Sequence, residues 1–419
     1  FGFIGMAFDV FSFIEFFNII SRIWGGVCEN LILVAVPMFI FMGTMLERSG
    51  VANDLLYCLQ VLLRRVPGGL ALSVTIMGTI MAATTGIIGA SVVMMTLLAL
   101  PVMLDRKYDP SLATGTIAAS GTLGILIPPS IMLVIMADLL SISVGTLFLA
   151  AVIPGLLLAF IYTIYIYLRT KFNPSLAPPL SDDLGPKTKS ELWIMIFRSF
   201  LPPIFLILCV LGSIFAGVAT PTEAAAVGAL GSIILALFNK RLTKTVIKSV
   251  TERSALTCAM IFGLFIGATA FSYVFRSLGG DDLIHHFVES LGLGSWGILF
   301  FMMGMVFLLG FFFDWVEITL IVLPLFAPIL ATLDFGTHLD PTMVIPWVAV
   351  LIAVNLQTSF LTPPFGFALF YLKGVAPKSI KIQMVYKGII PFVLLQLVGL
   401  ITIILFPELV LWLPTKLLD

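Results

Sequence analysis

Long apolar runs separated by thin polar seams follow one another along the whole chain. At about 20 residues per membrane-crossing helix, roughly ten to twelve of these segments are long enough to span or re-enter a bilayer. Phe1 to Gly26 is aromatic-rich but carries Asp9, Glu15 and Arg22 at wide spacing, which predicts a helix lying at the interface. Glu29 to Met45 reads as the first clear span, and an amphipathic piece follows it to Arg64-Arg65. From Pro67 to Leu104 the apolar run is interrupted by Thr84-Thr85-Gly86-Ile87-Ile88-Gly89-Ala90-Ser91, which fits two short spans or one re-entrant hairpin with that segment at its tip. Later spans are expected at Val144 to Leu168, Phe200 to Ala216, Ala224 to Phe238 and Leu256 to Val274, with a last one ending near Trp412.

Two runs contain adjacent prolines in their middle. Pro128-Pro129 interrupts Ser111 to Ala137, and Pro363-Pro364 interrupts Pro341 to Leu372. Proline removes a helical hydrogen bond and its ring clashes with the preceding turn, so both helices should break there. Irregular backbone at membrane depth persists only where protein buries it or it lines a wet cavity, and its carbonyls are then natural cation ligands. A kink without a ligand is the plainer alternative. Leu291 to Leu333 repeats the hairpin pattern, interrupted at Gly310 to Thr319.

The flanking charges orient these segments. Arg64-Arg65 and Arg106-Lys107 bracket the first hairpin, and Asp281, Asp282, Glu289, Asp334 and Asp340 bracket the second, so the two open to opposite sides. Threading the segments alternately leaves 19 of 22 Lys and Arg residues on the cytoplasmic side, with Arg22, Arg276 and Lys416 outside. Arg48-Ser49 with Asp54-Leu55 matches Arg276-Ser277 with Asp282-Leu283, and Asp109-Pro110 matches Asp340-Pro341. Matches in one order on opposite faces predict an inverted repeat.

The expected organisation is an interfacial arm over 1–28, a first repeat over 29–169 with hairpin 67–104 and broken helix 111–137, and a cytoplasmic linker over 170–198. Connecting helices over 199–255 then lead to a second repeat over 256–412, with hairpin 291–333 and broken helix 341–372. The chain opens on Phe1 rather than Met, and an N-terminal piece is expected to precede it. No secretory leader is apparent.

Composition narrows the class. With 60% hydrophobic and 11% charged residues, the chain is an all-α polytopic membrane protein rather than a soluble domain, and it lacks the short alternating strands of a barrel. A net charge of zero gives no footprint for nucleic acid. Cys28, Cys58, Cys209 and Cys258 show no ligand spacing and read as inert packing residues. His285, His286 and His338 fall in outer connections and read as solvated, as does Asp138 at a span end. Thr220-Pro221-Thr222-Glu223 reads as a capping box. No Walker A motif, HExxH or catalytic Ser/His pair is present, so no enzyme is expected.

The candidate chemistry lies at the breaks. Gly121, Gly124, Ile127 and Pro129 would offer carbonyls in the first, and Thr358, Ser359, Thr362 and Pro364 would serve the second. The first hairpin tip adds hydroxyls and open backbone at Thr84, Thr85, Gly86, Gly89 and Ser91, suited to a sodium site of neutral oxygens; close helix packing is the alternative use of such small residues. Thr319 is the hydroxyl counterpart in the second tip. Asp314 and Glu317 are the only carboxylates inside a tip; they bind a cation, carry a proton or face water.

These motifs resemble the large membrane subunit of tripartite ATP-independent periplasmic (TRAP) transporters. The resemblance rests on Thr84 to Ser91, Tyr108-Asp109-Pro110 leading to Gly121 to Ser130, Ile153-Pro154-Gly155, Ala219 to Ala225 and Leu361 to Gly366, and it covers the chain from about Glu29 onward. It implies an elevator-type fold in the bacterial cytoplasmic membrane, with two hairpins and two unwound helices holding sodium and the substrate between the hairpin tips. The implied activity is sodium-driven uptake of a small organic acid, a carboxylate or sulfonate, delivered by an extracytoplasmic binding protein. A small membrane subunit of about four helices would complete the complex; Na+ is the coupling ion and no cofactor is implied. Carried onto this chain, the first sodium site falls on Thr85, Gly86, Gly89 and Ser91 with Gly124, Ile127 and Pro129. The second falls on Gly310, Asp314 and Thr319 with Ser359, Thr362 and Pro364, and substrate contacts fall to Thr84, Ser130, Glu317 and Thr358. Ser359 departs from the glycine usual there, which puts the second site's geometry in question. A stand-alone carrier of the same fold and a channel are the rival readings.

Overall fold

The computed structural model describes residues 2–7, 11–86, 88–179, 185–186 and 188–418, with the backbone course alone for 82–85 and 418. Every regular element among the described residues is helical. In chain order these are α1 (Gly2–Ala7), α2 (Phe13–Ile23), α3 (Ala35–Arg48), α4 (Val51–Leu62), α5 (Gly69–Thr85), α6 (Ile88–Asp105), α7 (Pro110–Thr122), α8 (Ile131–Leu139), α9 (Val144–Phe172) and α10 (Lys189–Met195). There follow α11 (Leu201–Phe215), α12 (Pro221–Phe238), α13 (Lys244–Ser277), α14 (Gly280–Ser290), α15 (Ser295–Leu309), α16 (Trp315–Leu330), α17 (Val344–Leu361), α18 (Phe367–Val375), α19 (Ile382–Leu405) and α20 (Glu408–Leu418). Among the described residues, seven helices are long and apolar enough to cross a membrane, or up to nine if each of two bent pairs is one span. The remaining apolar segments, such as Trp315–Leu330, are shorter helices.

Local chemistry sets the helix ends. Asp109 accepts a hydrogen bond from the Leu112 amide at 2.9 Å, with Pro110 opening α7. Thr220 and Glu223 form the expected reciprocal box: the Thr220 amide donates to Glu223 Oε2 at 2.8 Å, and the Glu223 amide donates to Thr220 Oγ1 at 3.3 Å. Thr243 caps a single 34-residue helix that carries Lys248, Glu252 and Arg253 into the apolar span. Helix α10 likewise begins at Lys189, inside the stretch read as a linker, because Thr188 caps it. Asp182 and Asp183 lie outside the described residues.

Helices α3, α12 and α13 pack together, and polar contacts tie their ends to one another and to the start of α4. Thr222 Oγ1 donates to the Leu31 carbonyl at 2.8 Å, Arg241 pairs with Asp54 at 2.9 Å, and Arg253 pairs with Glu47 at 3.5 Å. The core proper lies elsewhere: α7, α8 and α17 are buried along almost their whole length.

Two residues assigned to solvent are partnered. Asn30 Nδ2 donates to both carboxylate oxygens of Asp138, each at 2.9 Å. His338 Nε2 lies 2.9 Å from the Ile404 carbonyl and its ring packs on Trp296 and Trp347. In both cases the partner comes from a distant part of the chain, which a local reading of a helix end cannot supply. Cys58 is buried as expected, but Cys28 and Cys209 are exposed on helices that face the surroundings.

Tyr108, between α6 and α7, is 2% exposed, and its hydroxyl accepts the Leu70 amide, one of the orphan donors in the first turn of α5, at 3.2 Å. Burial pushes this phenol up to about 12, so it stays neutral and available as an acceptor across the physiological range. Tyr108→Phe leaves a buried N–H without a partner, and the expected loss is about 1–3 kcal/mol of stability. Thermal unfolding in detergent should show a lowered midpoint that does not vary between pH 6 and pH 9.

Candidate ion and substrate site

The first break has the form that its prolines dictate. Helix α7 ends at Thr122, a 3-10 turn covers Leu123–Ile125, and α8 starts at Ile131. The intervening Pro128-Pro129 bond is cis, as is Pro363-Pro364 between α17 and α18. Residues 121–130 are all buried, whereas Pro364 and Phe365 in the second break are exposed. Within the first break, Ser130 Oγ donates to the Ile125 carbonyl at 2.7 Å, so its hydrogen is committed while its lone pairs stay available.

The first hairpin, α5 and α6, covers this break. Gly86 has φ +56°, and a Cβ there would lie 3.1 Å from the Ile131 backbone nitrogen, so glycine lets the turn seat directly on the start of α8. Deeper in, a Cβ on Gly121 would lie 2.6 Å from Val92 of α6, and Ser120 Oγ donates to Thr75 Oγ1 of α5 at 3.3 Å. Ser91 is buried at 3% exposure, and Gly124, Ile127 and Pro129 are buried in the break itself. The side chains of Thr84 and Thr85 lie outside the described residues. Gly89 points elsewhere: a Cβ on it would lie 2.9 Å from the ring of Tyr371 on α18.

The second hairpin, α15 and α16, meets the second break in the same manner. Ser359 Oγ donates to the Phe307 carbonyl of α15 at 2.7 Å, and a Cβ on Gly310 would lie 2.3 Å from Ser359 Oγ. Serine in place of glycine therefore ties α17 to the hairpin. Phe312 and Phe365 pack with ring centroids 5.5 Å apart, and Asn355 Nδ2 donates to the Met303 carbonyl at 2.7 Å. Thr358 and Thr362 donate to the Val354 and Thr358 carbonyls, both at 2.8 Å. The Pro364 carbonyl accepts from Tyr386 at 2.8 Å, so one of its lone pairs is taken.

Asp314 caps α16 by accepting the Trp315 amide at 2.8 Å. Glu317 Oε2 and Thr319 Oγ1 are buried with no hydrogen-bond partner. Tyr371 on α18 packs against the first hairpin at Gly89. Tyr371, Tyr386, Asn30, Asn355 and Gln357 escaped the sequence reading. Only Asn355 and Gln357 gave a local signal, as polar side chains in an apolar run just before a break.

Among the described residues no three His, Cys, Asp or Glu side chains converge. Most of the polar groups gathered at the two breaks are hydroxyls and carbonyls, the donor type that hard cations take.

Residues 4–409 match the family model described as "Tripartite ATP-independent periplasmic transporter, DctM component". The chain belongs to this family. It is similar to the C4-dicarboxylate TRAP transporter large permease protein DctM of Pseudomonas aeruginosa, 32% identical over 92% of this chain and 87% of that protein. It is also similar to the ectoine/5-hydroxyectoine TRAP transporter large permease UehC of Ruegeria pomeroyi, 29% identical over 91% of this chain and 85% of that one. In fold it resembles the Alcanivorax borkumensis YdaH transporter, with TM-score 0.63 and 14% identity over 96% of this chain and 88% of that one. This TRAP large permease is a multi-pass protein of the bacterial inner membrane and the large component of a tripartite transporter, and its family is one of transporter permeases.

Proposed function

We propose that this permease takes up a small organic acid by sodium symport, receiving it from an extracytoplasmic binding protein and working with a small membrane subunit. The observation that carries this reading is the pairing of each broken helix with a hairpin whose glycine sits directly against it. Sodium would be held by neutral oxygens: Ser91, Gly86, Gly124, Ile127 and Pro129 at the first break, and Thr319, Ser359 and Thr362 at the second. Substrate would lie between the hairpin tips near Tyr371, Ser130, Glu317 and Thr358, with specificity set by those tips. In an elevator reading, α3, α11, α12 and α13 are the scaffold, and the hairpins with their breaks form the moving part.

A cavity of about 980 Å³ lies between α2, α13 and α16, with Arg22, Arg276, Thr269, Tyr273 and Asp138 on its walls. Arg22 and Arg276 fall on the outer side in the charge-derived topology. Arg276 pairs with Asp281 at 3.5 Å and donates to the Pro324 carbonyl of α16 at 2.9 Å, so its charge is partly offset, and together with Arg22 it would draw an organic anion toward Leu320, a few residues along α16 from the hairpin tip. Arg276→Gln should raise the KM for uptake about three- to tenfold with kcat little changed, because encounter rather than translocation is weakened. An unchanged KM would remove the cavity from the path.

The deciding experiment is uptake into liposomes holding this chain with its small subunit and binding protein. Radiolabelled carboxylates and sulfonates are screened with and without an inward sodium gradient. Saturable uptake requiring both sodium and the binding protein is expected. Uptake without the binding protein would indicate a stand-alone carrier, and flux indifferent to the gradient would indicate a channel.

A further inference from the structure

Gln357 is fully buried on α17, and its Nε2 donates to Thr122 Oγ1 at the end of α7, at 3.3 Å. The two residues are 235 positions apart. That is also the separation of Pro363 from Pro128 and of Pro364 from Pro129. The hydrogen bond therefore joins equivalent positions of the two broken helices, each six residues before the first proline of its pair. At the same separation, Gly124 corresponds to Ser359, so on each helix the bonded residue is two positions from a candidate ion ligand.

The bond is also the middle of a longer path. Thr75 and Ser120 join the first hairpin to α7 at 3.3 Å, and Ser359 and the Phe307 carbonyl join α17 to the second hairpin at 2.7 Å. Thr122 gives its own hydrogen to the Ala119 carbonyl at 2.9 Å, so it meets Gln357 as an acceptor. The other half of the amide, Oε1, is buried with no partner. A buried carbonyl oxygen without a donor is costly, because it has given up its bonds to water and gained none in return. Such a cost favours any neighbouring arrangement that supplies a donor, and two arrangements of nearly equal free energy are what transmission between sites requires.

We propose that the Gln357–Thr122 hydrogen bond couples the two breaks, so that a cation bound at one raises the affinity of the other. This inference rests on the reading of the breaks as cation sites. Gln357 is thus a positioning residue, acting through the backbone of both breaks.

The test uses the full chain in lipid nanodiscs, with 22Na+ as the probe and choline holding ionic strength constant. Wild type should bind sodium with a Hill coefficient well above one. Thr122→Val keeps the side-chain volume and removes the acceptor; Thr122→Ser keeps the acceptor and loses only a methyl. Thr122→Val and Gln357→Met should bring the Hill coefficient to about one and raise half-saturating sodium about fivefold or more, with the amount bound at saturation unchanged. Thr122→Ser should behave as wild type, and the Thr122→Val/Gln357→Met pair should be no worse than either single change. Cooperativity that survives Thr122→Val, or that is lost equally in Thr122→Ser, overturns the coupling and leaves the cation sites standing. Non-cooperative binding by wild type overturns it as well, and absence of saturable sodium binding overturns the cation reading together with it.

Discussion

Gly388→Leu should leave almost no correctly folded permease in the membrane. A Cβ on Gly388 would lie 2.0 Å from the Ser111 carbonyl oxygen and 3.1 Å from the Gly115 nitrogen, and a Cβ on Gly115 would lie 2.2 Å from the Gly388 carbonyl oxygen. All of these are backbone atoms, so no side chain can turn aside to make room. Ordinary overpacking costs about 1–3 kcal/mol, and separating two helices along a backbone-to-backbone crossing costs more, against a total stability of roughly 5–15 kcal/mol. The crossing joins α19 to α7, the helix that leads into the first break, so the damage reaches the buried centre. Fluorescence-detected size exclusion in mild detergent should show the monodisperse peak reduced to about a tenth or less. Gly374→Leu is the control, since a Cβ there meets nothing within 4 Å. A wild-type profile for Gly388→Leu would mean that α7 and α19 do not cross at these glycines.

Much of this architecture was legible because proline and charge act locally. Pro128-Pro129 and Pro363-Pro364 break helices wherever they occur, and the Thr220–Glu223 cap is written in four consecutive residues. The contacts that close the site are of another kind. Gly115 and Gly388, Thr122 and Gln357, Asn30 and Asp138, and Tyr386 and Pro364 are each brought together by tertiary packing. Helix α17 is buried on every side, so hydrophobic periodicity, which marks one face of a soluble helix, assigned its residues no direction. Ser359 shows the limit from the other side. Its departure from glycine was visible in the sequence, but its bond to the Phe307 carbonyl depends on a hairpin that has to be in place first.

The same physics separates transport from folding at Gly121. This glycine lies against α6, and a Cβ there would be 2.6 Å from Val92 Cγ2 but 3.2 and 3.3 Å from the Val92 Cα and N atoms. The severe contact is thus with a side chain that can be shortened, and the backbone contacts need give only a few tenths of an ångström. Gly121→Ala should therefore fold, yet it pries the first hairpin from the broken helix and disturbs the oxygens that both supply. If the proposed site holds its ligands within about 0.5 Å, a displacement of this size is expected to lower uptake tenfold or more, with membrane levels near wild type. Val92→Ala removes the offending methyls, so the Gly121→Ala/Val92→Ala pair should recover a large part of the loss, a coupling that independent sites would not show. Gly121→Leu should be inactive with or without Val92→Ala, because its longer side chain still meets the α6 backbone. Uptake by Gly121→Ala that matches wild type, or that Val92→Ala fails to improve, would show that the seating of this hairpin on the first break does not set transport.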